Sequence, residues 1–142
     1  MDQIERKIVQ HIEENREQIL AFADDIYHHA ELGYKEYLAV TGVKAYLNED
    51  RKEQFSLALL GEMDALKIPN HIYAVPETGA AHCCGHHAQL AGVVGAMLAL
   101  TDPEIADKLD GQVIFFATPA EEYGEVEFKK SLMQEGKIQY GG

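Results

Sequence analysis

The 142-residue chain carries 24 acidic and 12 basic residues, a formal charge of −12, and 46% hydrophobic residues. That length suffices for one ordinary domain with a real core. The acidity argues against nucleic acid or an anionic membrane surface as a partner. No apolar run approaches the roughly 20 residues that a membrane span requires, and the start of the chain, Met-Asp-Gln-Ile-Glu-Arg-Lys, lacks a basic-then-apolar leader pattern. The expected location is the cytoplasm, where two adjacent cysteines stay reduced and free for a metal.

Residues 2–30 place Ile4, Ile8 and Ile12, then Ile19, Phe22, Ala23, Ile26 and Tyr27 at three-to-four spacing. This predicts one long amphipathic helix or two joined near Asn15. His11 falls on a polar stretch. His28 and His29 close the helix, where a cation is favoured, so capping is the simpler role. Gly33 ends it, and a further helix is predicted over residues 36–47, packing through Leu38, Val43 and Leu47. The charged run at 48–53 reads as a solvated connection.

Residues 55–60, Phe-Ser-Leu-Ala-Leu-Leu, predict a buried strand in a parallel sheet. Glu62 and Asp64 follow at its C-terminal end, where open α/β sheets place their ligands. Residues 67–81, with Pro69, Pro76 and Gly79, predict a long loop in which His71 faces solvent or stands behind a site. From 87 to 100 the chain is almost continuously apolar and small, predicting a buried helix in which Gly92 and Gly95 allow close approach to a sheet. Asp102-Pro103-Glu104 starts a short helix and Asp110-Gly111 turns the chain. Residues 113–118 predict a second buried strand, with Pro119-Ala120-Glu121-Glu122 at its C-terminal end. A helix is predicted over 125–135, stopped by Gly136, and residues 137–142 look like a chain interrupted in mid-course.

The densest chemistry lies at 79–87, Gly-Ala-Ala-His-Cys-Cys-Gly-His-His. His82, Cys83, Cys84, His86 and His87 offer five candidate ligands for a borderline-soft divalent ion. The alternative is small buried cysteines and stray histidines in a core. Vicinal cysteines do not meet ordinary disulfide geometry, and the spacing is not that of a zinc finger. Further ligands must therefore come from other segments, and Asp64, Glu121 and Glu122 are the carboxylates at the same edge of the expected sheet. The cluster opens a helix, whose N-terminus favours thiolate over thiol. The plain alternative for the glutamate pair is an acid-decorated helix N-terminus.

Four ordered motifs, His29-Ala-Glu-Leu-Gly33 with Glu36, Gly61-Glu-Met-Asp-Ala-Leu66, Gly79-Ala-Ala-His-Cys-Cys-Gly-His86 and Pro119-Ala-Glu-Glu122, carry a resemblance that covers nearly the whole chain. The sequence resembles the amidohydrolase branch of the aminoacylase and carboxypeptidase superfamily of metallopeptidases, which includes N-acyl-amino-acid amidohydrolases and p-aminobenzoyl-glutamate hydrolase. The resemblance implies a three-layer α/β/α, zinc-exopeptidase-like catalytic domain. It places Cys84, His86 and Glu122 as ligands of one or two zinc or manganese ions, Glu121 as general base and Asp64 as an orienting residue. Glu62 stands where other branches have a ligand histidine, and His87 and Gln89 replace residues that are often Asp and His. Full members are longer, with further ligand histidines and a smaller dimerisation domain, and no histidine follows His87 here. Residues 1–142 are accordingly expected to form the N-terminal part of the catalytic domain, incomplete without its C-terminal part and the dimerisation domain, of a protein that is a homodimer at full length. The expected reaction is hydrolysis of the amide in small N-acyl amino acids, aminobenzoyl-glutamate-like conjugates or dipeptides. Two rival readings are a non-catalytic module that keeps the fold, and a cysteine hydrolase using Cys83 or Cys84.

Overall fold

The computed structural model describes residues 1–33, 43–122, 130 and 133–136. Helix α1 spans Gln3–Glu14 and opens with a capping box: the Asp2 carboxylate accepts from Glu5 N–H at 2.8 Å, and the Glu5 carboxylate accepts from Asp2 N–H at 2.6 Å. Asn15 separates it from α2, Arg16–His28, so the long periodic stretch is two helices joined where the sequence suggested. His29 caps α2, its N–H donating to Asp25 O and Ile26 O. Among the described residues no helix is long and apolar enough to cross a membrane.

Three strands form the main sheet, β1 Val43–Leu47, β2 Ser56–Glu62 and β5 Gln112–Thr118, in the order β1-β5-β2. As expected, β2 runs parallel to β5, with Glu62 opposite Thr118. The helix expected over 36–47 is corrected for its described part: Val43–Leu47 is a strand antiparallel to β5, while residues 36–42 lie outside the described residues. A five-residue segment with a β-branched and an aromatic side chain gains more from a ladder against Ile114–Phe116 than from one and a half helical turns.

Two further expectations change. Strand β2 is not buried along its length: Leu57 and Leu60 are 53% and 52% exposed, because β2 is an edge strand of the described sheet, whereas Val113, Ile114 and Phe115 of the central strand are buried. The charged connection at 48–53 is an anchor rather than a solvated link. It contains a 3-10 helix, Glu49–Arg51, and the Arg51 guanidinium donates to the carbonyls of Ala106, Asp107 and Leu109, the last at 2.6 Å. These acceptors lie at the end of the short helix α4, Pro103–Ala106, where backbone carbonyls lack helical partners.

Helix α3, His86–Leu100, packs against α1, α2 and β2. It buries a stripe of His86, Leu90, Ala91, Gly95 and Ala99 rather than its whole circumference. Its glycines do not meet the sheet: a Cβ at Gly95 would lie 3.3 Å from Ile19 of α2, and Gly92 faces open space. The close approach is made from the sheet side, at Gly61, where a Cβ would lie 2.6 Å from Leu90 Cδ1 and 3.1 Å from Leu90 Cα.

Between β2 and α3, the pair β3 Leu66–Lys67 and β4 Ala80–Ala81 closes the expected loop antiparallel. Ala30, Leu32, Ala65 and Ala80 form a small core with Val75, and Leu32 bridges Ala65 in parallel. The Ala-Glu-Leu part of the first motif is thus packed beside Asp64. His71 accepts from Tyr73 N–H at Nδ1, at 3.3 Å. Of the helix expected over 125–135, residues 125–129, 131 and 132 lie outside the described residues, 133 and 134 are helical, and Gly136 has φ +71. Residues 137–142 also lie outside them. The architecture is α/β, as the strand and helix pattern predicted.

Gly61→Ala should cost about 1–3 kcal/mol through overpacking against Leu90. Gly92→Ala, in open helical space, should instead stabilise by roughly 0.5–1 kcal/mol. Urea unfolding midpoints moving in opposite directions for the two variants would bear out the packing.

Candidate metal centre

Because β2 and β5 are parallel, their C-terminal ends fall together, and α3, resting on Gly61 through Leu90, brings its first residue to the same place. Gly85, at φ +100, makes the turn between Cys84 and His86, a backbone state that an L side chain would strain. After β5, Ala120 adopts φ +56 while fully buried. A non-glycine residue there costs on the order of 1 kcal/mol, and this turn immediately precedes Glu121 and Glu122.

Asp64 is fully buried at the junction. Its main-chain carbonyl lies 2.7 Å from His86 Nδ1, and its carboxylate Oδ2 accepts from Glu122 N–H at 3.0 Å. A carbonyl only accepts, so Nδ1 carries a proton. His86 Nε2 lies 3.1 Å from Glu62 Oε2, 3.6 Å from Glu122 Oε1 and 3.8 Å from Glu121 Oε2.

Two sets of donor atoms therefore converge. Cys84, His86 and Glu122 form one, and Glu62, His86 and Glu121 the other, each with its ligand atoms within 4.8 Å of one another. Glu122 Oε1 is buried without a hydrogen-bond partner. Sulfur, imidazole nitrogen and carboxylate oxygen together suit a borderline divalent ion, and a cation would satisfy the orphaned oxygen. The residues fit such an ion.

Cys84, His86, Glu122, Glu121 and Asp64 are all at this junction. Cys83 is exposed and belongs to neither set, and both cysteines are free. His82 and His87 face each other instead, ring centroids 5.6 Å apart, with His87 also against Tyr27 at 4.8 Å. His82 is buried with neither ring nitrogen hydrogen-bonded. Burial first, then the positive charges of His87 and His86, lower its pKa to about 4, against a smaller opposing effect of Asp64.

The expected thiolate at the start of α3 is corrected. The Cys84 thiol is pushed up, by a hydrogen bond to Glu122 first and then by the negative charge of Glu122, slight burial, and the charges of Glu121 and Glu62. Three carboxylates outweigh a helix end, and a bound cation would reverse the balance. Two residues that the sequence singled out without assigning a role are members of the junction: Glu62, as a donor, and Gln89, whose Oε1 accepts from Glu62 N–H at 2.8 Å. The available signal was position, since Glu62 ends a strand and Gln89 lies one turn into the facing helix.

The His82 shift fixes the direction of one pH effect. His82 takes its proton near 6.5 when unfolded and near 4 when folded, so the unfolded chain binds more protons between those values. Stability must then fall as pH drops from about 6.5 to about 4, by at most about 3 kcal/mol from this group. Urea midpoints of chelator-treated protein at pH 7 and pH 4 should fall further for the wild type than for His82→Phe, which cannot titrate.

Residues 58–140 match the model of Peptidase family M20/M25/M40. No curated protein matches the sequence. In three dimensions the chain is similar to a crystal structure from methicillin-resistant Staphylococcus aureus, provisionally described as an aminohydrolase, with a TM-score of 0.62 and 21% sequence identity. The similarity covers 82% of this chain and 35% of that one, so the chain spans well under half of that protein's length. At that identity the likeness establishes the fold, which is the α/β fold built above. The family match is of another kind, for it runs over more than half of the chain and takes in Asp64, the Cys-Gly-His turn and the glutamate pair. The chain belongs to Peptidase family M20/M25/M40.

Proposed function

We propose that residues 1–142 form the N-terminal part of the catalytic domain of a metal-dependent amidohydrolase of this family. Its substrates are small N-acyl amino acids, aminobenzoyl-glutamate-like conjugates or dipeptides, and its ion is zinc or manganese. The observation that carries this reading is the meeting of Cys84, His86 and Glu122 within 4.8 Å, with the carboxylate of Glu121 beside them. Two exposed free cysteines are in keeping with a reducing, cytoplasmic setting, and a homodimer is the assembly proposed for the full-length protein.

A divalent ion held by Cys84, His86 and Glu122 would supply Lewis acidity to the scissile carbonyl and acidify the attacking water. The chain's own residues do the rest. Asp64 fixes both protein ligands, its carbonyl setting the His86 tautomer and its carboxylate holding the Glu122 backbone. Glu122, whose side chain is 18% exposed, has the environment of a ligand. Glu121, at 48%, reaches solvent and is free to move a proton. It takes the proton from water and returns it to the leaving amine. The cysteine-hydrolase reading is disfavoured by the raised pKa of Cys84, since a nucleophilic thiol needs the opposite shift.

Glu121→Gln should lower amide turnover by about 10²–10⁴ while leaving bound zinc or manganese, measured by elemental analysis, unchanged. Turnover untouched in an active preparation would remove Glu121 as the base. Metal binding with no amide hydrolysis in the full-length protein would favour the non-catalytic module.

A further inference from the structure

Helix α3 rests on β2 and α2 rests on α3, and between α2 and the face of β1 and β5 lies a cavity of about 450 Å³. Its walls follow from the periodicity of each element. Phe22 and Ile26 of α2 are four residues apart, and Leu90, Val94 and Met97 of α3 are spaced by four and three, so each set shares one side of its helix. Across from them Val43 pairs with Ala117 and Ala45 with Phe115, which puts all four on one face of the sheet. Val43 is 53% exposed, so the cavity opens to solvent beside β1. None of Asp64, Cys84, His86, Glu121 and Glu122 lines it. It is a separate place from the metal centre, and its volume falls in the range of small-molecule sites, roughly 300–1,000 Å³.

Apolar side chains make most of the wall, and one buried polar group among them points to a ligand. His82 lines the cavity, is 5% exposed, and has no hydrogen-bond partner at either ring nitrogen. Buried polar atoms left unpaired are costly and few. A hydroxyl both donates and accepts, so it pairs with an imidazole nitrogen whether or not that nitrogen carries a proton. A carboxylate head is disfavoured, because Asp25 and Glu31 also line the cavity and only His29, already 3.2 Å from Asp25, opposes them.

We infer that this cavity binds a neutral amphiphile of medium length, its alkyl or aryl body lying between α2 and the sheet and its hydroxyl head on His82. The inference is independent of the hydrolase reading, since the residues proposed for metal and proton transfer stand outside the cavity.

Octanol titration of the 142-residue protein, followed by the methyl NMR signals of its methionines, tests this. Met63 and Met97 line the cavity, whereas Met1 is 72% exposed. The signals of Met63 and Met97 should shift together and saturate while that of Met1 stays in place. Val94→Phe, which fills the space, should abolish the shifts with the far-ultraviolet circular dichroism unchanged. His82→Phe keeps a ring and removes its nitrogens, so it should weaken octanol about three- to tenfold while leaving toluene, which has no head group, within about twofold. Octanoate at about pH 8 should bind at least about tenfold more weakly than octanol. Shifts that never saturate, or that include Met1, overturn the site whether or not Val94→Phe folds. Equal losses of toluene and octanol in His82→Phe, or tighter binding of octanoate or octylamine than of octanol, overturn the assignment of the head group to His82.

Discussion

Asp64 is the residue through which the rest of the centre is held. A buried carboxylate needs its environment to answer it, and here Glu122 N–H donates to Oδ2, while Oδ1 has no hydrogen-bond partner and lies 3.4 Å from His86 Nδ1. The same residue offers its backbone carbonyl to His86. One position thus ties the start of α3 to the segment after β5, and two parts of the chain 36 residues apart in sequence, His86 and Glu122, are fixed relative to each other. The small core of Ala30, Leu32, Ala65 and Ala80 packs next to it, and Ala65 N–H donates to Glu31 O at 2.8 Å, which ties the chain after α2 to the segment that carries Asp64.

That junction depends on register. Parallel pairing of β2 with β5 sets Glu62 opposite Thr118, and a slip by one residue would turn Glu62 to the other face of the sheet. The absence of a side chain at Gly61 lets α3 settle onto β2, so the depth of the helix and the position of His86 are set by a residue with no chemistry of its own. Backbone strain falls nearby at Ala120, just before the glutamate pair, while Gly85 makes the left-handed turn before His86 without that cost. Such turns persist where surrounding structure over-determines them.

Electrostatically the centre is a concentration of negative charge within an already acidic chain. Glu62, Glu121 and Glu122 hold the Cys84 thiol protonated, the reverse of what a helix N-terminus would do alone. The neighbouring His82 remains neutral through burial and contributes no compensating charge. Such an arrangement attracts a cation and disfavours an anionic thiolate.

The sequence by itself determined what local pattern and residue chemistry record: the two N-terminal helices and their break at Asn15, the strand ends that carry acid, the cap at Asp102, and a sulfur and nitrogen donor set at the start of α3. These follow from periodicity, capping and ligand type, each legible within a few residues. Tertiary structure decided the remainder. It made Val43–Leu47 a strand because β5 offered a ladder, left β2 exposed because it lies at an edge, and drew Arg51 onto the carbonyls after α4. It also separated His82, Cys83 and His87 from the converging donors and brought Glu62 in. Side chains on one short segment point in different directions, and which of them meet carboxylates tens of residues away is fixed by register and helix depth, quantities that no local window of sequence contains.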